Sequence, residues 1–176
     1  MSTEVSNKLG DKKNLLNDAM ASWEKVVIQK LRPVSTISNS YVCPSWVPPL
    51  TNLNFNVDMM IFVGIEEMDG VDGELSKSDI CAFDADGFPR VGYIKLDAKD
   101  VNIVVKQIFQ HEIGHLLGLV NRHNRVAQYF GNNGKLFLGP NALAFWKSLG
   151  GDAAGIPVEY ADVAQLTPGT FVVTGI

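Results

Sequence analysis

Two histidines one helical turn apart, His111 and His115, sit inside a segment whose apolar residues recur at helical spacing. Val104, Val105, Ile108, Phe109, Ile113, Leu116 and Leu117 mark one side of that segment, and Gly118 follows where a helix stops in the left-handed conformation. The pattern predicts a helix over 101–117, capped by Asp97 or Asp100. Positions i and i+4 share a helix face, so both imidazoles and Glu112 must be accommodated on an otherwise apolar element. Burying such groups without a partner is costly, and a metal ion is the simplest partner. The chain has only 3 His, and the third, His123, lies close by in sequence.

At this spacing two imidazole nitrogens can converge on one Zn²⁺ at about 2.0–2.1 Å each. Glu112 is one step round the helix from His111 and can face a water at the metal without ligating it. Zinc would bring that water's pKa toward about 7, and Glu112 would take its proton. The expected chemistry is hydrolysis of a peptide bond, with Glu112 handing the proton to the leaving amine. Glu112 is therefore the candidate catalytic residue, and His111 and His115 are candidate metal ligands. A catalytic zinc takes three protein ligands. Asn121 stands where an HExxHxxGxxH pattern would put a third His, and it is a poor ligand. His123 is either that third ligand or an ordinary surface histidine. Glu159 and Asp162 are more distant carboxylate candidates.

Composition removes several alternatives. The net charge is −4, which leaves no basic surplus for a phosphate backbone, so nucleic acid is not an expected partner. No run approaches the roughly 18 apolar residues of a membrane helix. The N-terminus lacks the apolar core of a secretory signal. A chain of 176 residues that is 46% apolar can bury a core without metal or disulfide staples. Cys43 and Cys81 form no CxxC pair, so two buried thiols and one disulfide both stay open. There is no GxxxxGK[ST] loop and no GxSxG elbow. Asp72, Asp84 and Asp86 lie near glycines at a spacing that is not an EF-hand; they read as solvated turn formers.

Residues 1–10 read as a flexible tail and 11–176 as one domain. Leu15, Met20, Trp23, Val26, Val27 and Leu31 predict a helix over 11–31, started by Asp11 or Asn14 and stopped by Pro33. The proline-rich 33–58 stretch is expected to be irregular. Strands are expected at 59–65, 80–83 and 90–96, with a turn-rich loop over 66–79. A last helix is expected over 140–149 with Pro140 in its first turn, then loops and a short terminal strand. Strands do not alternate regularly with helices, which favours an α+β fold.

With HEIGHLLGL (111–119) as its core, the chain resembles the leishmanolysin family of metzincin zinc metallopeptidases. GFPRVGYIKLDAKDV (87–101) resembles the family's strand and Asp-containing turn before the active-site helix. LGPNALAFWKSLGG (138–151), GIPVE (155–159) and AMASWEKVV (19–27) resemble further family segments, the last being its backing helix. The resemblance is collinear from about residue 12 to 160. It implies a metzincin-type, zincin-like fold: a twisted mixed sheet, mostly parallel, resting on a backing helix and the HExxH helix. It implies an edge strand near 80–83 that takes a peptide or protein substrate in extended form, and an extracellular or cell-surface setting. The family's third His follows the GIPVE-like segment, and a Met-turn follows that. Here no His follows Glu159 and no Met follows Met68, so a short or cut-off lower subdomain is expected. The functional expectation is a zinc-dependent metalloendopeptidase. The alternatives are a catalytically weak or inactive metzincin-like peptide-binding module, and a metal-free structural domain.

Overall fold

The structure, a computed structural model, describes residues 10, 12–27, 39–40, 43–50, 57–119, 127–151 and 154–157. The chain is α+β and divides into two compact units, Met1–Gly118 and Leu119–Ile176. The first unit contains α1 (Lys12–Glu24), β1 (Asn39–Ser40), β2 (Met60–Glu66), β3 (Ser76–Phe83), β4 (Pro89–Asp97) and α2 (Lys106–Leu116). Its strands form one sheet in the order β1-β3-β4-β2. β2 runs parallel to β4, and β3 runs antiparallel to both β4 and β1. The sheet is therefore mixed. The mostly parallel sheet that the resemblance implied is not what these pairings form, because β3 returns by a tight turn into β4 and must run against it.

Alternation along the strands builds two cores. Ile94 and Leu96 of β4, Val63 of β2 and Ile80 of β3 face Leu16, Ala19 and Trp23 of α1 and Phe109, Ile113 and Leu116 of α2. On the opposite face, Val91, Tyr93, Phe62, Cys81 and Ala82 pack with Trp46 and Val47, a break in the β3 register after Ile80 interrupting the alternation at Cys81 and Ala82. β4 is covered on both sides, which explains its nearly continuous apolar run. Cys43 and Cys81 are joined as a disulfide, which resolves the alternative left open by the sequence. The two helices are tied directly: Trp23 Nε1 donates to the Gln110 carbonyl at 3.0 Å. Lys12 Nζ donates to the carbonyls of Asn102 and Val104 at 2.9 and 2.7 Å, fixing the approach to α2.

Three expectations about element ends need correction. α1 ends at Glu24 rather than near residue 31, because the amides of Val26 and Val27 both turn back to the Trp23 carbonyl; Asp11, Leu31 and Pro33 lie outside the described residues. α2 begins at Lys106, not at 101. Residues Val101–Ile103 make a single 3₁₀ turn, and Val104, at φ −61° and ψ 125°, breaks it from the helix. Neither Asp97 nor Asp100 caps α2; both carboxylates are engaged by amides of the 68–72 loop instead. β3 begins at Ser76, so the last residues of the expected 66–79 loop are strand.

The β3–β4 turn is organised by Asp84. Its Oδ1 accepts from the amides of Asp86 and Phe88, with Gly87 at φ 78° completing the turn. Asp84 is a turn former as expected, but it is not solvated: it is 12% exposed and lies 3.9 Å from the buried Arg90 guanidinium.

The second unit holds a small antiparallel sheet of β5 (Phe130–Gly131), β6 (Leu136–Phe137) and β7 (Ile156–Pro157), with α3 (Pro140–Ser148). Asn132 and Asn133 take positive φ in the turn between β5 and β6, a conformation that Asn tolerates better than most residues. Phe137 packs edge-on against Phe130 and Tyr129. Among the described residues no helix is long and apolar enough to cross a membrane. The expected terminal strand after residue 157 and the expected tail over 1–9 lie outside the described residues.

Candidate metal and catalytic site

α2 presents two neighbouring rows of side chains to two different surroundings. Glu112 and Leu116, one turn apart, point at the sheet and are 4% and 0% exposed. Gly92 of β4 lets Leu116 approach: a Cβ at that position would stand 2.6 Å from Leu116 Cδ2. His111 and His115 form the adjacent row and are only half-buried. Their Nε2 atoms stand 2.9 Å apart, and their rings meet edge-to-face at a centroid distance of 4.4 Å. The i, i+4 spacing on α2 puts the two imidazoles within reach of each other. α2 stops just after them, with Gly118 at φ 90° and its amide donating to the His115 carbonyl at 2.9 Å.

Glu112 is turned toward β3. Ser76 Oγ donates to Oε1 and Ser78 Oγ to Oε2, each at 2.5 Å. Both hydrogen bonds fall in the short, charge-assisted class. The strand register explains the arrangement. Ser76 pairs with Leu96, Ser78 with Ile94 and Ile80 with Gly92, so all three β3 residues lie on the helix-facing side. The two serines were not among the residues singled out from the sequence. Their signal was the alternation Ser76-Lys77-Ser78-Asp79 running into Ile80; inward-facing residues that are polar conceal the usual strand pattern.

The donor set matches zinc chemistry in kind. Two imidazole nitrogens on one tetrahedral zinc, each at about 2.0–2.1 Å, stand about 3.3 Å apart. The observed 2.9 Å is slightly tighter, a difference that a small rotation of either ring absorbs. His111 and His115 thus fit as two of the three protein ligands. His123, Glu159 and Asp162 lie outside the described residues, and no group of three or more His, Cys, Asp or Glu that could hold a metal occurs among the described ones.

Behind the site, the end of β4 is anchored by Asp97, which is fully buried. Its carboxylate accepts from the Lys99 amide at 2.6 Å and from the amides of Met68 and Asp69 at 3.1 and 3.2 Å. These donors, Lys99 foremost, hold the Asp97 carboxyl below the usual carboxylate range against the opposing effect of burial. Asp97 therefore fixes the turn that leads into α2 without being part of the site.

β3 has one side on β4. On its other side β1 pairs only with Ala82 and Phe83. The open edge expected near 80–83 is thus partly taken, and the stretch from Ser76 to Cys81 has no strand partner on that side among the described residues. No family model matches the chain, and a search of curated proteins finds no match.

Proposed function

We propose that the chain is a zinc-dependent metalloendopeptidase of metzincin type, similar to the leishmanolysins. The observation that carries this reading is the convergence of two Nε2 atoms at 2.9 Å on one turn of α2, with a buried glutamate in the next row. The order of elements supports it: a first helix, a mixed sheet, then the HExxH helix packed against both.

His111 and His115 would hold the metal, with a third ligand such as His123. Zinc, when bound, supplies a Lewis acid that polarises the scissile carbonyl and makes a water easier to deprotonate. Glu112 takes the proton from the attacking water and returns it to the leaving amine. An extended peptide along the side of β3 that no described strand covers would lie beside Glu112, with backbone pairing giving affinity. The Cys43–Cys81 disulfide supports an oxidising, extracytoplasmic setting.

The test is metal analysis with peptide hydrolysis. The parent should carry about one Zn per chain, and His111→Ala should lose it. Glu112→Ala should keep zinc and lose turnover. A Glu112→Ala protein as active as the parent would sink the reading; zinc retained by a parent without turnover would leave the peptide-binding module.

A further inference from the structure

The Ser76–Glu112–Ser78 arrangement is more than the shelter a buried carboxylate needs. Glu112 is 4% exposed, and each of its oxygens accepts from a different hydroxyl at 2.5 Å. A single donor would let the carboxyl group rotate about its last bond. Two donors on alternate residues of one strand fix both the plane and the direction of the group. Those residues belong to an antiparallel strand whose register on β4 is regular from Ser76 to Ile80, so the donors are mounted on sheet rather than loop. Leu116 seated over Gly92, one turn further along α2, fixes the height of the helix above the same strands. Both hydroxyls also stand on the strand whose outer side is uncovered by any described strand at that point.

We infer that Ser76 and Ser78 are positioning residues that aim the Glu112 carboxylate at the reacting water, with the aim set by β3. This rests on the peptidase reading above. It also predicts that occupancy of the β3 edge and the aim of Glu112 are coupled, because one strand serves both.

The experiment compares isosteric replacements. Thr keeps a hydroxyl and Val removes it, at equal volume and with equal preference for a strand. Zinc-loaded parent, Ser76→Thr/Ser78→Thr and Ser76→Val/Ser78→Val proteins are compared on a quenched-fluorescence peptide. Zinc affinity is measured by competition with a chromophoric chelator. The Val pair should lose about 10–100-fold in kcat, the size expected for a misaimed catalytic group. KM and zinc affinity should stay within twofold of the parent, and the Thr pair should keep most of kcat. If the double Val protein does not fold, the single Ser76→Val and Ser78→Val proteins must each show a loss in kcat.

Equal kcat in the Thr and Val proteins would overturn the inference, and so would a Val protein whose zinc affinity falls in step with kcat. The metal-free proteins supply a second readout, a stability cycle of Ser78→Val against Glu112→Gln. Coupling is expected; additivity would overturn the inference. A parent that binds zinc and turns nothing over, with the coupling present, would overturn the peptidase reading and the aiming role together. Turnover in the parent with Thr and Val alike would overturn the aiming role alone.

Discussion

The two faces of the main sheet are covered by different means. On one, α1 and α2 lie on Val63, Ile80, Ile94 and Leu96 and bring the candidate site with them. On the other, the cover is the 43–50 segment, with Trp46 over Gly64 and a disulfide to Cys81 near the end of β3. The helical cover is regular and self-supporting through its own hydrogen bonds; the irregular cover has no such ladder and is cross-linked instead. Chemistry that needs fixed angles between side chains sits on the regular face, where i and i+4 geometry supplies them. The other face supplies stability.

Perturbing each face in turn should separate these roles. The largest effect is expected on the helix face: Glu112→Ala should lower peptide hydrolysis by roughly 10²–10⁴-fold and leave the bound zinc in place, measured on the same preparation. On the opposite face, replacing Cys43 and Cys81 together by Ala should cost about 4 kcal/mol, the loop-closure value for a separation of 38 residues. Denaturant unfolding measures it, and the protein that remains folded should hydrolyse peptide at the parent rate. Gly64→Val should cost about 1–3 kcal/mol by overpacking, because a Cβ there stands 2.7 Å from Trp46 Cζ2; turnover per folded molecule should again be unchanged. Trp23→Phe removes the bond to the Gln110 carbonyl and should cost about 1 kcal/mol.

Asp97 gives the mildest test, because its contribution is constant around neutral pH and changes only in acid. Its carboxyl is held lower in the folded chain than its unfolded value of about 3.9. The stability it contributes is fully present above that unfolded value and is lost as pH falls through the lowered folded one. Acid unfolding of the parent should show this slope below about pH 3.9, and Asp97→Asn should lack it.

The spacing of His111, Glu112 and His115 was legible because it is local. His111, Glu112 and His115 are fixed relative to one another by a single turn of helix, and apolar periodicity is enough to recognise that helix. β4 was legible for a similar reason: its apolar run needs no knowledge of its partners. What could not be read depends on contacts distant in sequence. The start of α2 is set by amides of the 68–72 loop that occupy Asp97 and Asp100, so residues that look like caps are already engaged. The first half of β3 looks like a loop because its inward positions are serines, and only a glutamate from α2 makes them suitable for an interior. The disulfide was one of two open readings because spacing in sequence says nothing about distance across a sheet.

Gly92 acts as a gauge block. Its missing side chain sets the clearance between α2 and the sheet, and Leu116, which rests on it, is one turn from Glu112. Any atom added at position 92 would act as a shim under one end of a stiff rod, tilting the rod and lifting Glu112 off its two serines. Clearance at a position with no functional group of its own is thereby converted into the direction in which a carboxylate points.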